Sequence, residues 1–112
     1  MENTRQQKVA KLIQKELSEI FRQEGQNRTP AAMITVTRVD IAKDLFFAKV
    51  YLSIFSTGNK HLVFESIEQT KKEIRFKLGQ RVKNQLRIIP ELAFVFDDTL
   101  DYIENIDKLL KQ

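Results

Sequence analysis

Apolar residues follow two different rhythms along this chain. From Thr4 to Phe21, Val9, Leu12, Ile13, Leu17, Ile20 and Phe21 recur every three or four positions, the spacing that lines one side of an α-helix. Asn3 or Thr4 can cap it, each with a glutamine three positions on. Arg5, Lys8, Lys11 and Lys15 take the flank beside the buried stripe. GQNRTPAA then ends the helix in a loop. The rhythm changes to two over Met33 to Ile41, where Ile34 and Val36 alternate before the phase slips by one to Val39 and Ile41. Such a slip predicts a β-bulge near Thr37 and Arg38, because one extra residue re-aims the side chains that follow. Ala42, Lys43 and Asp44 connect to a second strand, Leu45 to Phe55. Its Ala48, Val50, Leu52 and Ile54 face the core, and Phe47, Lys49, Tyr51 and Ser53 the other way.

After STGNK the helical rhythm returns with Phe64, Ile67, Ile74, Leu78, Val82 and Leu86. Lys71 stands where an apolar residue is due, so either its stem snorkels from the core edge or the helix breaks near residues 70–72. Gly79 is a second weak point, costing about 1 kcal/mol relative to alanine inside a helix. A break is therefore expected between Gln69 and Gly79. Glu91 to Asp97 reads as the last long strand, with Leu92, Phe94 and Phe96 on one face and Pro90 at its start, where a missing donor does least harm. Leu100, Ile103, Ile106, Leu109 and Leu110 predict a short closing helix at about 99–111. The expected architecture is a single α+β domain over residues 1–112, a three-stranded sheet with helices on one face. Its order, helix, strand, strand, broken helix, strand, helix, is that of the type II K-homology arrangement, an RNA-binding fold.

Composition narrows the chemistry. The chain has 112 residues, no cysteine and one histidine, His61, which excludes a disulfide framework, a cysteine nucleophile and most zinc sites. No apolar run approaches the roughly 20 residues that span a bilayer, and MENTRQQK lacks the hydrophobic stretch of a secretion signal. A cytoplasmic protein is expected. The net charge is only +4, but seven bases and one acid lie between Thr70 and Arg87, and six acids and no base between Glu91 and Asp107. That polarity suits a polyanionic partner at one end, although a solvated helix face produces the same run. Phe47 and Tyr51 around Lys49 on an open sheet face can stack nucleotides, or simply cover the sheet, for which aromatics are favoured.

Four blocks carry a resemblance. VAKLIQKELSEI, DLFFAKVYLS, IRFKLGQR and RIIPELAFVFDDTLDYIENIDKLL occur in order from Val9 to Leu110, and in these the chain resembles ribosome-binding factor A, a family of bacterial small-subunit maturation factors. The resemblance implies a non-enzymatic factor without cofactor, metal or small-molecule substrate. Such a factor binds the immature small ribosomal subunit as a monomer and assists maturation of its RNA. The family's helix–kink–helix centre, usually alanine, any residue, glycine, aligns with Thr70, Lys71 and Lys72, so this chain departs from it there. It also lacks a GxxG phosphate clamp: Gly25, Gly58 and Gly79 are too far apart. RNA contact would then rest on basic helical surfaces that read shape and phosphates. The candidates are Lys8, Lys11, Lys15, Lys71, Lys72, Arg75, Lys77, Arg81, Lys83 and Arg87. Lys72, Arg75 and Lys83 lead them, joined by Lys8, Lys11 and Lys15 if the first helix lies alongside. The alternative is a protein-interaction module whose basic face meets an acidic protein.

Asp97, Asp98, Thr99 and Asp101 could serve a metal-dependent nuclease, but such a site wants further polar ligands nearby. Placed before an amphipathic helix, they read better as its N-cap and first turn. His61, beside Lys60 in a turn, reads as solvated and not catalytic. Accordingly, Asp98→Asn or Asp101→Asn should lower stability by up to about 1 kcal/mol in urea unfolding and leave RNA association intact. Loss of a metal-dependent turnover of RNA with folding unchanged would instead make the acids catalytic.

Overall fold

The computed structural model describes residues 4–28, 32–56 and 58–97. The elements are α1 (Thr4–Arg28), β1 (Ala32–Ile41), β2 (Phe47–Ser56), α2 (Lys60–Gln69), α3 (Lys71–Val82) and β3 (Glu91–Phe96). The closing helix expected at about 99–111, with Asp98, Thr99 and Asp101, lies outside the described residues.

The three strands form one sheet in the order β1-β2-β3, with β2 antiparallel to β1 and parallel to β3. A parallel neighbour cannot be reached by a hairpin, so the chain between β2 and β3 must cross over, and α2 and α3 make that crossing. As the central strand β2 carries the most buried residues: Ala48, Val50 and Leu52 are fully buried. They pack in one cluster with Ile13 and Leu17 of α1 and Leu78 and Val82 of α3. The helices thus cover one sheet face. On the other, Met33, Phe47 and Phe55 stay exposed. Gln6 of α1 is polar yet buried, and its Nε2 donates to the carbonyl of Ile41 at 2.8 Å. Gln14 does the same for Val36 at 2.9 Å. Both acceptors lie on β1, an edge strand whose free backbone groups need partners.

The bulge falls where the alternation slips. Val36 pairs with Leu52 and Arg38 with Tyr51, leaving Thr37 unpaired between them. Its hydroxyl donates to Asp97 Oδ2 at 2.9 Å, across the sheet.

Three boundaries differ most from the sequence reading. α1 continues through Gly25 to Arg28, so the first half of the expected loop is helical. β2 begins at Phe47, not Leu45, because the preceding residues close a turn: Leu45 N–H donates to the Ala42 carbonyl and Ala42 N–H to that of Phe47, each at 2.9 Å. Leu45 adopts φ 65°, a left-handed conformation costing a branched side chain about 1–2 kcal/mol, offset here by packing of Leu45 on the core margin. Finally, α3 stops at Val82, and Gln85 and Leu86 only turn back onto the Val82 carbonyl.

The long helix does break, at Thr70, which sits at φ −104° and ψ 15° between α2 and α3. Thr70 N–H donates to the Ser66 and Ile67 carbonyls at 3.2 and 3.1 Å, and its hydroxyl reaches the same pair at 3.1 and 3.2 Å. The acceptors freed at the end of α2 are satisfied locally. Because φ stays negative, no glycine is needed for this kink.

Gly79, by contrast, sits in unbroken α3 without a positive φ. A Cβ there would meet Ile89 Cγ1 at 3.4 Å, ordinary contact. Gly79→Ala should therefore stabilise the fold by up to about 1 kcal/mol, read as a higher urea midpoint. A lower midpoint would mean that Ile89 cannot give way.

Candidate nucleic-acid interface

The buried stripes fix where each cation points. On α1, Lys8, Lys11 and Lys15 are exposed at three- and four-residue spacing, opposite the buried Val9, Ile13, Leu17 and Ile20. They form a crest on the outer side of the helix, spanning about 10 Å at 1.5 Å per residue.

The basic residues of α3 divide. Ile74, Leu78 and Val82 face the core, and at about 100° per residue Lys71 falls on the same side. It is half-buried and its Nζ lies 3.8 Å from Glu68, so the misplaced lysine sits at the helix break and leans to the core edge. Arg75 faces the segment entering β3. Its Nε donates to the Pro90 carbonyl at 3.0 Å and its Nη2 to that of Ile89 at 2.7 Å. Arg81 projects from the opposite flank and donates through Nε to Glu16 Oε2 at 2.6 Å. With side chains 33% and 17% exposed, this pair is a charged bond between α3 and α1. Lys77 is half-buried, whereas Lys72, Lys83 and Arg87 are exposed.

Arg81 also fixes the side of α3 on which α1 lies, and it is the flank away from Lys72, Arg75 and Lys83. The expected joint surface of that triad with Lys8, Lys11 and Lys15 is therefore not formed. Arg75 is bound to two backbone carbonyls. Along the seam between the helices Glu19 adds negative charge: Arg22, at 2.8 Å, holds its carboxyl below the usual carboxylate range, with smaller help from Arg81 and Lys15. Positive charge at that end of α1 is thus partly answered by acids.

Asp97 accepts from Thr37 and donates its N–H to the Leu52 carbonyl at 2.6 Å, which ties the end of β3 to the sheet. Among the described residues no group of three or more His, Cys, Asp or Glu is placed to hold a metal. His61 is exposed and stacks on Phe96 with ring centres 5.4 Å apart. On the open sheet face, Arg38 and Lys49 lie over Tyr51 at 5.4 and 5.7 Å, so this ring is covered by its own basic neighbours, while Phe47 is 46% exposed. Two cations outside the expected set, Arg5 and Lys43, come beside Lys8 and Arg87 at the mouth of a cleft. Lys43 lies in the β1–β2 turn, far in sequence from every basic run, and only the fold brings it there.

Ribosome-binding factor A as a family matches residues 5–110 of this chain. The chain belongs to the ribosome-binding factor A family. Ribosome-binding factor A of Cytophaga hutchinsonii is 42% identical over 112 residues, covering 100% of this chain and 84% of its own length. The crystal structure of ribosome-binding factor A from Thermus thermophilus superposes with a TM-score of 0.65 at 19% identity, over 80% of this chain and 93% of that one. A second set of coordinates for the Thermus thermophilus factor, fitted into a cryo-electron microscopy map of its 30S complex, gives 0.61 at 22% identity, over 77% and 88%. Their likeness shows the shared fold.

The division of cations is directly measurable. Arg75→Gln should cost about 1–2 kcal/mol, since it removes a charged donor from two carbonyls, while Lys72→Gln should stay within about 0.5 kcal/mol of the parent, as exposed replacements do. Equal urea midpoints for the two variants would show that the Arg75 clamp carries no stability.

Proposed function

We propose that this protein is a non-enzymatic assembly factor that binds the immature small ribosomal subunit in the bacterial cytoplasm and assists maturation of its RNA. It does so as a single K-homology-like domain, monomeric and without a cofactor. The observation that carries the reading is membership of the ribosome-binding factor A family over residues 5–110. The 30S complex of the Thermus thermophilus relative supports the choice of subunit. The described order of helix, strand, strand, helix, helix, strand supports the K-homology-like reading, with Thr70 at the junction of the two central helices.

The α1 crest is the RNA-facing surface best suited to the task. Lys8, Lys11 and Lys15 are exposed together on one regular helix, and phosphate contacts need charge and reach more than a fixed geometry. Lys72, Lys83 and Arg87 extend the positive surface on the far flank of α3 and beyond its end. Arg75, Arg81 and Lys71 serve the fold first, through the partners described above.

Replacing Lys8, Lys11 and Lys15 together with glutamine should weaken co-sedimentation with immature small subunits. If each contacts one phosphate, the slope of log affinity against log salt should become shallower by about 2–3 units, with the circular dichroism spectrum unchanged. An unchanged slope would move the RNA surface off α1. Salt-sensitive association that survives digestion of the RNA would replace the RNA by an acidic protein.

A further inference from the structure

At the N-terminal end of α1 a cleft of about 680 Å³ opens between that helix, the β1–β2 turn and the segment joining α3 to β3. Its rim carries Arg5, Lys8, Lys43 and Arg87 against one acid, Asp44. Asp44 Oδ1 already accepts from the N–H of Phe46 at 3.0 Å, so part of its acceptor capacity is used inside the turn. The floor is apolar, with Leu12, Leu45, Leu86 and Ile88. Ile88 is 48% exposed, a large aliphatic side chain presented to solvent at the cleft. Gln85 completes the lining with an amide that can both donate and accept.

We infer that this cleft takes one unpaired nucleotide of an RNA strand, its base on the apolar floor and its flanking phosphates on the basic rim. The inference rests on the RNA-binding reading above and names a site and a ligand conformation within it. Four observations converge. The volume lies within the range of about 300–1,000 Å³ usual for small-molecule sites, room for a nucleotide and too little for a duplex. The charge is cationic where phosphates would pass, and the acids Glu16 and Glu19 do not answer it. Glu16 is eight residues beyond Lys8, about 12 Å along the helix and past a Debye length of about 8 Å at physiological salt. The floor offers no aromatic ring, but the guanidinium plane of Arg5 can stack a base, as arginine does in single-strand recognition. Gln85 then presents donor and acceptor to the base edge. None of the four rim cations is engaged in an ion pair among the described residues, so none has to be released before an RNA strand can bind.

A duplex would offer phosphates to the rim but keep its bases stacked and away from the floor. That difference sets the test. The full chain, isotope-labelled on its leucine and isoleucine methyl groups, is titrated with a single-stranded RNA tetranucleotide, a short RNA duplex and inorganic pyrophosphate. The tetranucleotide should shift the Leu45, Leu86 and Ile88 methyl signals, and the duplex and pyrophosphate should not. Lys43→Gln with Arg87→Gln, both exposed positions, should make the salt slope of tetranucleotide binding shallower by about 1.4 units, two single-strand contacts at about 0.7 each. Ile88→Ala should weaken tetranucleotide binding and leave that slope as it is. Floor signals that stay still, or an unchanged slope in the double variant, would overturn the proposal. Equal floor shifts from duplex or pyrophosphate would overturn it too, by reducing the cleft to an anion site. If it fails while the α1 crest variant still loses small-subunit association, the RNA-binding reading stands without this site. Loss of neither would remove both.

Discussion

The parallel pairing of β3 with β2 is the constraint from which the rest of the molecule follows. It buries β2 between two neighbours and beneath a helical layer, and so demands the alternation of Ala48, Val50, Leu52 and Ile54 on one face. It also obliges the chain to travel back along the sheet before β3 can begin. α3 has twelve residues, about 18 Å at 1.5 Å each, close to the roughly 20 Å of six-residue β3 at about 3.3 Å per residue. One helix of that length completes the return. The ten residues of α2 are surplus to it, and a break is the way to fold them against the end of β2. Thr70 makes that break without strain, by turning its own hydroxyl onto the carbonyls that the end of α2 leaves open. Arg75 then holds the end of the return, gripping the Ile89 and Pro90 carbonyls just before Glu91 joins the sheet.

This division of labour explains why a basic segment is not the same thing as a basic surface. The run from Lys71 to Arg87 looks uniform in sequence, but three of its members are committed by the packing of α3. Lys71 leans to the core edge beside Glu68, Arg75 grips the backbone ahead of β3, and Arg81 reaches Glu16 on α1. Such partners occupy the donors locally, although Arg75 and Arg81 stay at the surface. Lys72 and Lys83 face outward on the far flank of α3, and Arg87 lies beyond its end. The alignment of Lys8, Lys11 and Lys15 on one crest is independent of those demands, since α1 meets the sheet through the opposite side.

Much of the fold was legible because it is written in periodicity. The phase slip between Val36 and Val39 placed the bulge near Thr37 and Arg38, where it falls, and the misplaced Lys71 pointed to a helix break near residues 70–72, which occurs at Thr70. Both are discontinuities in a regular pattern, and a discontinuity has few physical explanations. The errors arose where local composition misleads. Gly25 looked like a terminus, but a single glycine costs only about 1 kcal/mol, which a long helix can absorb. Leu45 looked like a strand residue, since nothing in its type announces a left-handed turn. The charged residues were the least legible. Whether an arginine binds a carbonyl fifteen positions away or faces solvent is decided by tertiary neighbours, and Lys43 reaches the cleft only because the β1–β2 turn folds beside the start of α1. The acids after Asp97 fall outside the described residues, so of that cluster only Asp97 acquires a structural role, holding Thr37 across the sheet.

The two kinds of cation also differ in what they can recognise. An arginine held by fixed partners, as Arg75 is by two carbonyls and Arg81 by Glu16, has little freedom left to follow an irregular surface. Exposed lysines on a helix crest keep their rotamer freedom and carry a compact charge that adjusts to wherever a phosphate lies. A surface of that type discriminates poorly between sequences and tolerates a partner whose shape is still changing. In the proposed function the partner is an immature subunit whose RNA has not reached its final fold, so tolerance of this kind is a requirement. The same argument assigns selectivity, where it exists, to places in which charge is joined to a shaped apolar wall. In this fold that combination occurs where the turn at Leu45, the end of α3 and the start of α1 meet, each of them packed on the core through Leu45, Leu86 and Val9.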